Sequence, residues 1–137
     1  MILLDTNVVS ETRLPQGDTR VKAAVRDHGD DLWLSVIVLG EIVFGVCQLD
    51  PGPKRTALGR YCAELRRDYA DRMLGVTREV AEAWGVARAA RRREGRPLAA
   101  TDGLIAATAL VHDLTLWTRN PRDFEGIGVR LFNPWED

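Results

Sequence analysis

Two short apolar runs in this chain each end at residues able to cap a helix, and that junction constrains the fold more than any other feature. Ile2-Leu3-Leu4 runs into Asp5-Thr6-Asn7, and Leu32-Trp33-Leu34 runs into Ser35. A short, continuously apolar run reads as a buried strand. Asp, Thr, Asn and Ser carry side-chain oxygens that accept from the free N–H groups of a helix's first turn. Leu116-Trp117-Thr118 and Val129-Arg130-Leu131-Phe132 read as two more strands, and Leu74-Gly75-Val76 fits another. Helical segments lie between them. Asp18-Thr19 caps one that runs to about His28 and stops at Gly29, and another runs from Val36 to Leu49. Leu58, Tyr61, Cys62, Leu65, Tyr69 and Met73 trace one helix face between Lys54 and Met73. Thr77 or Arg78 starts a helix that turns Val80, Trp84 and Ala87 inward and ends near Gly95, and Thr101 caps a last one from Asp102 to about His112. Strands alternating with helices imply βαβ units. The fold expected is α/β, in three α/β/α layers around a central, mostly parallel sheet.

The chain of 137 residues matches one domain over residues 1–137, and at that size about two-thirds of the surface is buried on folding. No repeat, low-complexity segment or linker interrupts it. The N-terminal apolar run is too short for a signal peptide and lacks a basic flank. Leu32 to Leu49 has marginal length for a membrane span, and Ser35, Glu41 and Gln48 interrupt it. An acid at a bilayer centre costs roughly 2.5–3.5 kcal/mol, so a strand followed by a buried helix is expected instead, with no membrane partner. Cys47 and Cys62 lack metal-ligand spacing and read as reduced core residues of a cytoplasmic protein. His28 and His112 are isolated, and neither a Cys/His zinc set nor a Ser-His-Asp arrangement is present.

Four acids stand out against this background. Asp5 ends the first apolar run; Glu41 interrupts an apolar helix on the side of Ile37 and Gly45; Asp102 opens Leu104-Ile105-Ala106-Ala107; Asp123 follows Thr118-Arg119-Asn120-Pro121-Arg122. Each has an ordinary explanation taken alone: a helix cap at Asp5, a buried pair with an arginine at Glu41, a first-turn dipole residue at Asp102, a turn residue at Asp123. In open α/β sheets, however, ligand sites form at the carboxyl ends of strands, where Asp5, Asn120 and Asp123 fall. Gathered there, the acids would repel one another unless a cation joined them. Oxygen-only ligands select Mg²⁺ or Mn²⁺ over zinc or copper. With no nucleophilic Ser or Cys pattern and no obvious His base, the simplest chemistry is metal-activated water attacking a phosphodiester.

These residues resemble the PIN-domain family. The likeness rests on Leu3-Leu4-Asp5-Thr6-Asn7, on Glu41 after a Leu-Ser strand end, on Ala100-Thr101-Asp102-Gly103-Leu104-Ile105-Ala106-Ala107 and on Thr118-Arg119-Asn120-Pro121-Arg122-Asp123-Phe124. Phe132-Asn133-Pro134-Trp135 is similar to one branch, the VapC-type toxins of bacterial toxin–antitoxin pairs. The resemblance implies a Mg²⁺- or Mn²⁺-dependent endoribonuclease, a cognate antitoxin that blocks its site, and a homodimer. It makes Asp5, Glu41 and Asp102 the core metal ligands. Family members place a further acid at the position of Asn120 or of Asp123; here the first is an amide, so Asp123 supplies the charge. Thr6 and Thr118 resemble groups that orient carboxylates or water, with Asn7 and Asn120 as further supporting residues.

Arginine makes up 17 of the 19 basic residues, which suits phosphate recognition but also follows from genome composition alone. The net charge of −1 announces no global field for nucleic acid. Arg13 and Arg119 are the expected phosphate-positioning residues. Arg88, Arg91, Arg92, Arg93 and Arg96 form a cluster that is either a solvated helix end or an RNA-backbone contact. Tyr61, Leu65 and Tyr69 serve either the core or an interface. Trp84 and Trp117 read as core, Trp33 as packed on the sheet, and Trp135 as a surface residue. Two competing functions stay open: a phosphatase using an aspartyl-phosphate, disfavoured because Asn7 stands where a second acid is wanted, and a catalytically weak or inactive RNA- or protein-binding module.

Overall fold

A computed structural model describes residues 1–136. Five strands form one sheet: β1 (Ile2–Leu4), β2 (Leu32–Ser35), β3 (Met73–Leu74), β4 (Thr115–Trp117) and β5 (Arg130–Phe132). Their order is β3-β2-β1-β4-β5, and every neighbouring pair is parallel. Leu3 of β1 lies opposite Trp33 on one side and Leu116 on the other. A parallel pair cannot be joined by a tight turn, so each connection is a crossover. Six helices supply the first three: α1 (Thr6–Arg13), α2 (Thr19–His28), α3 (Val36–Gln48), α4 (Pro53–Asp68), α5 (Arg78–Arg93) and α6 (Ala100–Val111); β4 and β5 are joined through a 3-10 turn at Pro121–Phe124. The chain steps outward from β1 through β2 to β3, then returns through α5 and α6 to lay β4 on the other side of β1. Leu3, Leu34 and Leu116 are fully buried, as strands covered on both faces must be.

The caps expected from the sequence hold in four places, the first being Asp5, whose carboxylate accepts from Thr6 N. The Asp18 carboxylate accepts from Arg20 N at 2.8 Å, Ser35 Oγ accepts from Ile37 N at 3.1 Å, and Thr77 Oγ1 accepts from Val80 N at 3.2 Å. Several boundaries move: β3 keeps only Leu74 of the expected Leu74-Gly75-Val76, β4 is Thr115–Trp117 rather than Leu116–Thr118, and two helices change more. The helix expected through Met73 ends at Asp68, and Met73 instead begins β3. Arg72 explains the break: its guanidinium donates to the carbonyls of Asp68, Gly29 and Leu32, tying the end of α4 to the start of β2. Thr101 is not the cap of α6. That helix starts one residue before it, at Ala100, with Ala99 as an N-cap that offers no side-chain hydrogen bond.

Several side chains expected on one side of the core boundary lie on the other. Cys62 is buried but Cys47 is exposed. Trp135 is buried, with the Arg119 guanidinium 5.0 Å above its ring. Leu65 is buried, and Tyr61 and Tyr69 pack against the core, so this stripe serves the interior. Tyr61 Oη donates to the Val9 carbonyl at 2.8 Å and lies 3.1 Å from Thr12 Oγ1, which fastens α4 to α1.

That fastening sets an expected cost. Tyr61→Phe removes the hydroxyl but leaves Val9 O with the Thr12 hydroxyl, which donates to it at 2.7 Å, so it is expected to lower unfolding free energy by about 0.5–1.5 kcal/mol. Urea denaturation measures this, and a loss under about 0.5 kcal/mol would show that the hydroxyl adds nothing beyond its hydration.

Candidate active site

The chain reverses its direction of travel across the sheet between β1 and β4, and loops diverge there to leave a crevice at the strand carboxyl ends. A cavity of about 490 Å³ opens at that point, lined by Asp5, Thr6, Asn7, Ser10, Glu41, Asp102, Asn120 and Asp123. All four acids singled out in the sequence are thus in one place, although they come from four separate segments. Ser10 went unnoticed in the sequence. The signal for it was helical spacing, since it lies one turn after Thr6 and Asn7 on α1 and so shares their face.

Asp5 is the fixed member. It is 5% exposed, and both of its oxygens are held: Oδ1 accepts from Thr6 N and Oδ2 from Thr118 Oγ1, each at 2.8 Å. Burial pushes its pKa up, while the bonds from Thr118 and Thr6 N oppose the rise. A linked chain of bonds spreads from it. Thr6 Oγ1 donates to Glu41 Oε1 at 2.9 Å, and Asn120 N donates to Thr118 Oγ1 at 3.1 Å. Arg119 N donates to Asn7 Oδ1 at 3.3 Å. The two threonines therefore connect Asp5 to Glu41 on one side and to the 120–124 turn on the other.

Asp102 is half-buried in the first turn of α6. Desolvation is the largest cause that raises its pKa to about 6, and the charges of Asp5, Asp123 and Glu41 push in the same direction. The next residue is Gly103 for a steric reason. A Cβ there would lie 2.7 Å from the Trp84 ring of α5, so only glycine lets the two helices approach this closely. Trp84 Nε1 is buried against this contact without an acceptor. On the far side, Asn120 and Asp123 are exposed at the cavity, on a 3-10 turn over Pro121–Phe124 that Phe124 anchors in the core.

The two expected phosphate arginines are elsewhere. Arg13 lines a different cavity with Leu14, Gly45 and Leu58, and Arg119 covers Trp135. Neither is among the residues lining the acid cavity. Within the Arg88–Arg96 cluster, Arg91 is buried, while Arg88 and Arg92 line a further cavity with Pro97 and Leu98.

The donor set fits a hard divalent cation. It is all oxygen, and the repulsion that adds to desolvation in raising Asp102 is what a bound cation would relieve. Asp5, Glu41, Asp102 and Asp123 would hold it. Among the described residues, no three acids, histidines or cysteines close into a preformed metal cage. Mg²⁺ commonly keeps several waters and takes only one or two carboxylates, so a cavity rather than a cage suits it.

The comparisons with known proteins agree with this architecture. The PIN domain model matches residues 2–129, and the chain belongs to that family. It is 40% identical over 139 residues to the toxin FitB of Neisseria gonorrhoeae, with 100% of both chains covered. It is 33% identical to the VapC ribonuclease Y4jK of Sinorhizobium fredii, covering 99% of each. The crystal structure of FitAcB from Neisseria gonorrhoeae superposes with a TM-score of 0.92 at 38% identity, covering 100% of both chains.

The Asp102 environment gives a pH dependence. Its carboxyl holds a proton up to about pH 6 when folded but has an ordinary value of 3.8. Between those values the folded state binds more protons, so stability falls as pH rises through the window and stays lower above it. Without divalent metal, Asp102→Asn is expected to match the parent near pH 4 and to exceed it by about 1–2 kcal/mol at pH 7, after allowance for solvent screening. Thermal melts of both proteins in chelator across that range test this. Equal pH profiles would mean that the acids do not strain the fold.

Proposed function

We propose that residues 1–137 form one nuclease domain, a Mg²⁺- or Mn²⁺-dependent endoribonuclease that acts as the toxin of a type II toxin–antitoxin pair in the cytoplasm. The observation that carries this reading is the convergence of Asp5, Glu41, Asp102 and Asp123 on one cavity at the switch point of the sheet. Membership of the PIN-domain family and the similarity to FitB and to a VapC ribonuclease support it. When bound, such a cation supplies polarisation of water and of phosphate oxygens. The chain's own part is placement. Asp5 is held by two hydrogen bonds, Glu41 is aimed by Thr6, and Asp102 and Asp123 complete the negative ring from the opposite half of the chain. Asn120 contributes a neutral amide to the same lining.

The partners in this reading are RNA, an antitoxin and a second copy of the chain. Val36, Ile37 and Phe44 line an apolar cavity of about 450 Å³ that shares Glu41 with the acid cavity. Phe44 is 63% exposed, and a protein seated on it would also cover the approach to the acids. Among the described residues, no helix is long and apolar enough to cross a membrane. A second reading, a weak or inactive binding module, rests on the amide at Asn120, which offers a neutral oxygen where an acid would add charge.

Incubation of purified protein with a pool of structured RNAs, in Mg²⁺, Mn²⁺ or EDTA, separates the two readings. Cleavage that requires metal and falls at least about 100-fold in Asp5→Asn is the expected result. Salt-sensitive RNA binding with no cleavage would move the assignment to the binding module. The arginine pair gives an independent check. Arg88 and Arg92 line a cavity with no acid among its lining residues, so the Arg88→Ala, Arg92→Ala double variant is expected to lower the slope of log affinity against log salt by about 1–2. An unchanged slope would place RNA on another face.

A further inference from the structure

Asp123 is the acid whose position the structure explains least at first sight. Asp5 and Glu41 receive side-chain or main-chain hydrogen bonds, and Asp102 is built into a helix. Asp123 is exposed on a short 3-10 turn, and its carboxylate forms no hydrogen bond among the described residues. Its place relative to the cavity therefore depends on how the backbone of the turn is fastened.

One side chain does most of that fastening. Arg91, near the end of α5, is 5% exposed. Its Nη1 donates to Asp123 O at 2.8 Å and to Glu125 O at 3.3 Å, and its Nε donates to Arg96 O at 2.9 Å. All three acceptors are main-chain carbonyls. Arg96 adds a weaker tie from outside, with Nη2 donating to Arg122 O at 3.1 Å. Burying a guanidinium costs several kcal/mol unless its donors are satisfied. A solvated helix end would not hold one this way; a structural staple between helix and turn would. The planar fork is needed as well, because several carbonyls in different directions suit a guanidinium rather than a compact ammonium.

We propose that Arg91 is a positioning residue for the acid cavity: it fixes the 121–125 turn by its carbonyls and so sets where Asp123 stands relative to Asp5 and Asp102. The inference rests on the reading of that cavity as a cation-dependent nuclease site. Arg91 touches neither substrate nor cation in this scheme. It acts through the backbone of the residue that does.

The test uses the full chain with Arg91→Met, which keeps the apolar stem and removes the fork, and Arg91→Lys, which keeps the charge. Three quantities are read well below each protein's melting temperature. They are hydrogen exchange at the Asp123 amide, which donates to Asn120 O at 3.1 Å, Mn²⁺ affinity by calorimetry, and kcat and KM for RNA cleavage. The expected result for both variants is faster exchange at Asp123 and Mn²⁺ binding weakened roughly 10–100-fold, with the loss in cleavage mainly in kcat. Added guanidinium ion is expected to restore part of both in Arg91→Met. A lower melting temperature with exchange and Mn²⁺ affinity within about twofold of the parent would overturn the proposal and leave Arg91 a general stabiliser. Should Arg91→Met fail to fold, the same criteria apply to Arg91→Lys. Failure of the nuclease reading looks different: the parent protein itself would neither bind Mn²⁺ nor cleave RNA, while the exchange measurement would still report on the staple.

Discussion

The hydrogen bond from Thr118 to Asp5 is the contact on which the site depends. It joins residues 113 positions apart in sequence, at the carboxyl ends of two neighbouring strands, and it is buried. A buried carboxylate is costly unless its oxygens are bonded, and Thr118 together with Thr6 N meets that requirement without adding a positive charge. This matters chemically. An arginine in the same place would stabilise Asp5 better but would cancel the negative field of the cavity. Hydroxyl and amide donors hold the carboxylate in place and leave its charge available.

From that anchor the other groups are arranged by backbone rather than by mutual contact. The Thr6 hydroxyl reaches Glu41, the α5–α6 packing places Asp102, and the 121–125 turn carries Asp123. The acids repel one another: burial is the main cause that raises the pKa of Asp102, and the charges of Asp5, Asp123 and Glu41 add to it. They stay together because each is mounted on an element packed for other reasons. α5 is an example: it contributes no residue to the acid cavity, yet Trp84 sits against Gly103 and Arg91 grips the turn.

Much of this was legible in the sequence because strand and cap signals are local. Ile2–Leu4 followed by Asp5 and Leu32–Leu34 followed by Ser35 specify strand-to-helix junctions within a few residues. Alternation of such units restricts the topology further. What could not be read was tertiary. The apolar spacing from Leu58 to Met73 suited one helix, but Arg72 reaches carbonyls on other segments and ends it at Asp68. Trp135 is sheltered by a residue sixteen positions earlier, Arg119. The sequence leaves Arg91 between a solvated helix end and an RNA contact, because its acceptors, Asp123 O and Glu125 O, carry no side-chain signal at all.

The order in which the strands are laid down has a consequence for synthesis. β1 sits at the centre of the sheet beside β4, so the first strand made pairs with almost the last. Asp5 and Glu41 leave the ribosome early, but Thr118 and Asp123 come from the final fifth of the chain. Until β4 slots in beside β1, Asp5 lacks its buried partner and the cavity lacks one wall. A growing chain therefore carries only half a site, and any activity of the assembled cavity begins only once residues 115–123 have been made and β4 has paired with β1.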